Sequence, residues 1–254
     1  MSASPTWVFI HGGMHAGDCW DLTIAELRRR KPDQQVLAVD LPGRGSRPAD
    51  LATVTLSDWV YAVLDDIEHA GLNEVIIVGH SLSGAVMPLV CARLGRQRTR
   101  ARVFIASIVP AQGTSVLDAV GGSLGRYARW SARRGRPAVI PATLARLVLC
   151  NAMTPAQREF TLQRLYPESP RVITEPVEHG DPAEVTMTTV WVRTTRDRVL
   201  RTKIQRRSQA ALGASCTEVN IDAGHDVMIS HPAVLARILL DVVAASTRPD
   251  SVEE

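Results

Sequence analysis

The sequence has almost no lysine. Lys31 and Lys203 are the only two, and arginine carries nearly all of the positive charge. That skew fits a base-composition bias better than a binding function. The formal net charge is only +3, which implies no polyanion-binding face, so no nucleic-acid partner is expected. No apolar run approaches the ~20 residues of a membrane span, so no membrane partner is expected either. The cysteines Cys19, Cys91, Cys150 and Cys216 are scattered. They show neither metal-ligand spacing nor a disulfide framework, which speaks against a metal site and for a reducing, cytoplasmic location. There are no internal repeats and no low-complexity segment. The start, Met1-Ser2-Ala3-Ser4-Pro5, leads almost at once into a strand, so no secretory leader is expected. What remains is a chain of 254 residues, 45% hydrophobic, enough for one large domain with a well-buried core.

Strand-like runs alternate with helical patterns. The strands read as Thr6–His11, Val36–Leu41, Glu74–Val78, Arg102–Ser107, Val190–Thr194 and Thr217–Ile221. The helices between and after them read as about Cys19–Arg30, Leu56–Ala70, Ser81–Leu94, Arg201–Leu212 and Pro232–Ala245. Such alternation predicts an α/β fold with a mostly parallel sheet covered by helices on both faces. Functional groups are then expected at the carboxyl ends of the strands. Residues 112–188 break the alternation with many prolines and short helical patterns near Leu144–Cys150 and Pro155–Leu165. They are expected to form a helical cap inserted into a core of residues 1–111 and 189–254.

The most informative run is Val75-Ile76-Ile77-Val78-Gly79-His80-Ser81-Leu82-Ser83-Gly84. An apolar strand ends at a glycine, a serine follows two residues later, and a helical pattern begins at once. A serine on such a turn has an exposed hydroxyl at the positive end of a helix. The usual small fifth position is Ser83 here, with glycine delayed to Gly84. An ordinary helix N-cap serine is the plainer alternative.

A serine nucleophile needs a base, and the base needs an orienting acid. Downstream of Ser81 the histidines are His179, His225 and His231. His225 sits in Asp222-Ala223-Gly224-His225-Asp226, between the last strand and the last helix, and is the preferred base. Asp197 follows the Val190–Thr194 strand and is the preferred acid. Asp222 competes with it, and the flanking Arg196 and Arg198 offer Asp197 a plain surface pairing instead. Oxyanion donors are expected from the backbone N–H of Leu82 and of Gly13, the latter in the run His11-Gly12-Gly13-Met14-His15. His80 is expected to pack or bond locally, and His15 to line the pocket or brace its loop.

These residues together resemble an α/β-hydrolase. More narrowly, the chain is similar to the plant methyl esterases and hydroxynitrile lyases and their bacterial esterase relatives. Val8-Phe9-Ile10-His11-Gly12-Gly13-Met14-His15 with Trp20, Gly79-His80-Ser81-Leu82, Asp197 and Gly224-His225 carry the likeness. It implies a core of about six parallel strands, with Ser81 as nucleophile, Asp197 as acid, His225 as base and Gly13 and Leu82 as oxyanion donors. It disfavours cyanohydrin cleavage, because the lyases have a hydroxyl residue at the position of Gly12 and a lysine at that of Asp226.

The expected function is cleavage of a carboxylic ester through an acyl-enzyme, without cofactor or metal. Pocket walls are expected from Met14, Leu82, Tyr127, Trp130, Met153 and Met228, whose apolar character suits a small to medium hydrophobic ester. The alternative is acyl transfer from, or hydrolysis of, a CoA or carrier-protein thioester. Arg126, Arg129, Arg133, Arg134 and Arg136 have no acidic residue among them and would receive an anionic tail. A solvated helix face is the plain reading of that cluster.

Overall fold

The computed structural model describes residues 4–121, 125–126, 129–130, 132–180, 187–213 and 216–246. Six strands form one sheet in the order β2-β1-β3-β4-β5-β6, every neighbouring pair parallel. They are β1 Thr6–Ile10, β2 Val36–Val39, β3 Val75–His80, β4 Thr99–Ile105, β5 Thr188–Thr194 and β6 Thr217–Ile221. Alternate residues face opposite sides, so each central strand feeds two cores. Trp7, Phe9, Ile76, Val78, Val103, Ile105, Val190 and Val192 pack with Trp20, Leu27, Leu235 and Leu239. The last three lie on α1 (Asp21–Arg30) and the helix Pro232–Ser246. Val8, Ile10, Ile77, Phe104 and Trp191 pack instead with α2 (Leu56–His69) and α3 (Met87–Arg98). Trp7, Trp20, Trp59 and Trp191 are all sealed in these cores.

The central strands differ from their sequence-based bounds for a plain reason. Gly79 and His80 stay in register with Phe104 and Ile105, so β3 runs two residues further than the apolar run. β4 begins earlier, at Thr99, because pairing to β3 holds a stretch rich in arginine that hydropathy alone passes over. The helix expected from Ser81 is split. Ser81–Ala85 is a 3₁₀ segment, and α3 starts only at Met87, with Pro88 in its first turn. Proline lacks the N–H that an interior helical position requires but is tolerated at a helix start.

Between β4 and β5 lie the short helices α4 Val116–Val120, α5 Ala142–Val148, α6 Pro155–Leu162 and α7 Pro170–Thr174, and residues 125–126, 129–130 and 132 are helical too. Capping boxes at Ser115/Asp118 and Thr154/Gln157 open α4 and α6. Beyond β5 come α8 Thr202–Ala211, α9 Val227–Ser230 and α10 Pro232–Ser246. Among the described residues no helix is long and apolar enough to cross a membrane.

Gly84, in the turn after β3, packs directly against backbone. A Cβ there would lie 2.6 Å from the carbonyl oxygen of Ile108. The hydroxyl of Ser83 is absorbed locally, donating to the carbonyl of His80 at 2.9 Å. Serine therefore fits the small fifth position, and glycine is needed one residue later. Gly84→Ala is expected to destabilise the fold by about 1–3 kcal/mol, because backbone must move to admit the methyl group. Chemical denaturation of the variant checks this, and an unchanged midpoint would contradict the packing described.

Candidate active site

Ser81 sits at the carboxyl end of β3 with φ +52°, a left-handed conformation uncommon for a residue with a Cβ. Ile108 N–H donates to its carbonyl at 3.0 Å, which anchors the turn to the segment after β4. On the other side a Cβ at Gly12 would lie 2.8 Å from the Ser81 Cβ, so the loop after β1 presses directly on the turn. Such strain is retained only where the surroundings over-determine it.

His225 lies in the loop between β6 and α9. Its Nε2 is 2.9 Å from Ser81 Oγ and its Nδ1 is 2.7 Å from Asp197 Oδ2. Three side chains separated by up to 144 positions thus form one hydrogen-bonded chain. Asp197, just past β5, is heavily solvated by protein donors. Its Oδ1 accepts from Val199 N–H at 2.8 Å and Leu200 N–H at 2.7 Å, and its Oδ2 also accepts from Thr194 Oγ1 at 3.0 Å. The other candidate residues have partners elsewhere. Asp222 is on the surface, paired with Arg196. Arg198 donates to the Leu147 carbonyl at 3.0 Å. His231 bonds Ser230 Oγ at 3.0 Å, and His179 N–H donates to Gln112 Oε1 at 2.7 Å.

A family model described as "Alpha/beta hydrolase family" matches residues 7–238. The chain belongs to that family. Its curated relatives include a carbendazim hydrolyzing esterase of Nocardioides, 37% identical over 113 residues, which is 44% of this chain and 45% of that protein. Methylesterase 18 of Arabidopsis thaliana is 24% identical over 270 aligned positions, covering 94% of this chain and 97% of the relative. For the relatives of higher identity, then, the chain matches less than half of their length. Among solved structures, an extracellular α/β-hydrolase from a Paenibacillus species superposes with a TM-score of 0.83 at 22% identity, over 94% of this chain and 98% of that one. That hydrolase shares structural and functional homology with Tobacco Salicylic Acid Binding Protein 2. A methylesterase protein from Arabidopsis, MES16, superposes at 0.75 with 18% identity, over 95% and 99%. The α/β-hydrolase fold expected from the sequence is the fold observed.

In this α/β-hydrolase, Gly13 and Leu82 face one another. A Cβ on Gly13 would be 3.1 Å from Leu82 Cδ2. Neither N–H meets a protein acceptor among the described residues. His11 orients the first of them. Its ring pairs with the Gly12 carbonyl at 2.8 Å through Nδ1 and receives Leu41 N–H at 3.2 Å on Nε2. Burial pushes its pKa down to about 3, so the ring is neutral. Nδ1–H then donates to Gly12 and Nε2 accepts from Leu41. Because the Gly12 carbonyl and the Gly13 N–H share one planar peptide, fixing the carbonyl fixes the direction of the N–H.

The other imidazoles crowd His225. His80 Nε2 donates to the His225 carbonyl at 3.1 Å, and the two rings lie 4.7 Å apart. Burial, aided by the neighbouring His225, holds His80 well below its ordinary pKa. Asp226 is wholly buried, with Oδ2 3.3 Å from His15 Nε2 and Oδ1 3.9 Å from His80 Nε2. Burial pushes its carboxyl up, but the facing imidazoles of His15, His225 and His80 outweigh this and keep it below the usual range. Among the described residues, His80, His225 and Asp226 form the grouping with metal-ligand spacing, their ligand atoms within 4.8 Å of one another. Both ring nitrogens of His225 are already taken by Asp197 and Ser81, so the trio serves the imidazole and not an ion.

Burial opposes a charged His225, yet the charge and hydrogen bond of Asp197, with the charge of Asp226, raise its pKa above the ordinary imidazole value. Ser81 and His80 are its other neighbours. If the neutral ring is the active form, kcat/KM falls as pH drops through this raised pKa. Asp226→Asn removes one of the two negative charges that stabilise the imidazolium. Its acid limb is expected to move to lower pH, with the limb of the parent protein measured alongside. An unmoved limb would show that Asp226 does not act on the base.

The residues expected as pocket walls scatter. Met14 and Leu82 flank Gly13. Met153 and Met228 belong to the buried cluster beside α1 and α10. Trp130 is 52% exposed, with the Arg134 guanidinium 3.7 Å from its ring centre. Tyr127 lies outside the described residues. In the arginine cluster, Arg129 pairs with Asp118 at 3.2 Å, an acid from α4 that the local sequence does not place beside it. Arg126, Arg133 and Arg136 are exposed.

Two residues that sequence reasoning passed over stand against the Gly13 loop. Glu168, just before α7, is paired with Arg44, from the turn after β2, at 2.5 Å, and both are buried. Arg44 lies in the glycine-rich turn Pro42-Gly43-Arg44-Gly45. A charge inside the glycine-rich turn after a strand is the signal that could have pointed to it.

Proposed function

We propose that the protein hydrolyses carboxylic esters through an acyl-enzyme on Ser81. The observation that carries this is the continuous hydrogen-bonded chain from Asp197 through His225 to a serine held at positive φ. Ser81 Oγ attacks the acyl carbon as His225 Nε2 takes its proton. The N–H groups of Gly13 and Leu82 receive the negative charge that develops on the carbonyl oxygen, each supplying ~3 kcal/mol to the transition state. His225 returns the proton to the departing alkoxide, then draws one from water as its oxygen attacks the acyl-enzyme, and finally gives that proton to Ser81 Oγ as the acyl–Oγ bond breaks and the acid leaves. Asp197 holds the Nδ1–H tautomer and stabilises the imidazolium. Residues 112–188 act as the cap over this site.

The names of the relatives, esterase and methylesterase, support ester cleavage and make small alkyl esters the first substrates to try. Met14 and Leu82, beside the oxyanion donors, give the acyl side an apolar wall. A fluorophosphonate probe tests the reading directly. Peptide mapping is expected to find the adduct on Ser81 alone. An adduct on any other side chain, with ester turnover intact, would sink it.

A further inference from the structure

Met14 stands immediately after Gly13 and has φ +62°, a left-handed conformation that a residue with a Cβ leaves readily unless held. Both its backbone groups are held by one segment, Tyr166–Glu168, up to 154 positions further along the chain. Tyr166 N–H donates to the Met14 carbonyl at 2.9 Å. Met14 N–H donates to Glu168 Oε2 at 3.0 Å. The other carboxylate oxygen accepts from Arg44 Nη2 at 2.5 Å and from Ser169 N–H at 2.8 Å. Arg44 is 1% exposed and Glu168 3%. Glu168 also exchanges two backbone hydrogen bonds with Ala138, at 2.7 and 2.8 Å, and Ser169 Oγ donates to the Val54 carbonyl at 2.8 Å. A single glutamate therefore joins the loop after β1, the turn after β2 and the region between β4 and β5.

We propose that Glu168, charged and locked by Arg44, is the positioning residue of the Gly13 loop, so that seating of residues 166–169 on the core and alignment of the Gly13 N–H are one event. The inference rests on the ester-hydrolase reading above and names a residue that reading does not use. His11 fixes the peptide before Gly13. Glu168 fixes the peptide after it, since the Met14 N–H and the Gly13 carbonyl share a plane. With both neighbouring peptides held, the glycine between them has no freedom to turn its N–H away. Glu168 touches no reacting atom; it acts through Met14.

The buried pair lets stability and positioning be separated. Removing one partner strands a buried charge, whereas removing both in favour of apolar residues of similar volume is often neutral. In the full chain, Glu168→Met and Arg44→Met are each expected to lower Tm, and the double variant to regain most of the loss. With p-nitrophenyl acetate, kcat of the double variant is expected to stay about 10- to 100-fold below the parent, with KM within about twofold, because Met14 N–H still lacks its acceptor. A double variant that regains both Tm and kcat would overturn the proposal. Should the double variant not fold, Glu168→Gln decides. Three donors converge on the carboxylate, and an amide must turn its NH₂ toward one of them, so the same loss in kcat is expected and parental kcat would overturn the proposal. Ser81→Ala keeps the two readings apart. If that variant still turns over ester, the underlying reading fails. If it is inactive while the Glu168 variants run at full kcat, only the positioning role falls.

Discussion

Ser81→Ala is expected to lower kcat on a small alkyl ester by about 10⁴- to 10⁶-fold and to abolish fluorophosphonate labelling. The size follows from the arrangement around the hydroxyl. His225 Nε2 lies 2.9 Å away and has no second acidic proton to take if Oγ is removed. What then survives is binding and the oxyanion donors, which act on water without a covalent step. Thermal unfolding near the parent temperature would assign the loss to chemistry, because the deleted atom bonds only to the imidazole. Residual turnover above that of the backbone donors, or persistent labelling, would place the nucleophile elsewhere.

Asp197→Asn should lower kcat by about 10⁴-fold while leaving the fold intact. The reason is directional. Val199 and Leu200 N–H groups both point at Oδ1, at 2.8 and 2.7 Å. An asparagine must keep its oxygen there, which turns its NH₂ toward His225 Nδ1. The ring is then forced to accept at Nδ1 and to carry its proton on Nε2, where it faces Ser81 as a donor and cannot act as base. The carboxylate also raises the His225 pKa against the opposing effect of burial. The variant's remaining activity is therefore expected to have its acid limb at lower pH. Measuring kcat/KM across pH for both proteins checks tautomer and charge together. A loss below tenfold would mean that Asp197 merely braces the β5 turn.

Much of this was legible in the sequence because the sheet is parallel and buried on both faces. Each central strand is then an apolar run of its own, whereas the edge strand β6, Thr217–Ile221, reads from its alternation of polar and apolar residues. The turn at Ser81 was legible for the same reason, since glycine and serine interrupt the run abruptly. Places decided by pairing or packing were not. β3 extends through Gly79 and His80 because β4 lies beside them, and nothing local says so. Asp226 reads as a loop acid, and only the fold sets His15 and His80 against it. Glu168 and Arg44 are 124 positions apart, and each alone reads as an ordinary surface charge. Asp118 and Arg129, 11 positions apart, meet for a similar reason.

The distribution of indole rings gives the protein a built-in optical contrast. Of five tryptophans, Trp7, Trp20, Trp59 and Trp191 are closed off from solvent, whereas Trp130 is half open beneath a guanidinium. A collisional quencher such as iodide therefore dims one emitter and leaves the four buried ones emitting. Difference spectra with and without quencher isolate a signal from the region between β4 and β5, and the unquenched remainder reports separately on whether the two cores are intact.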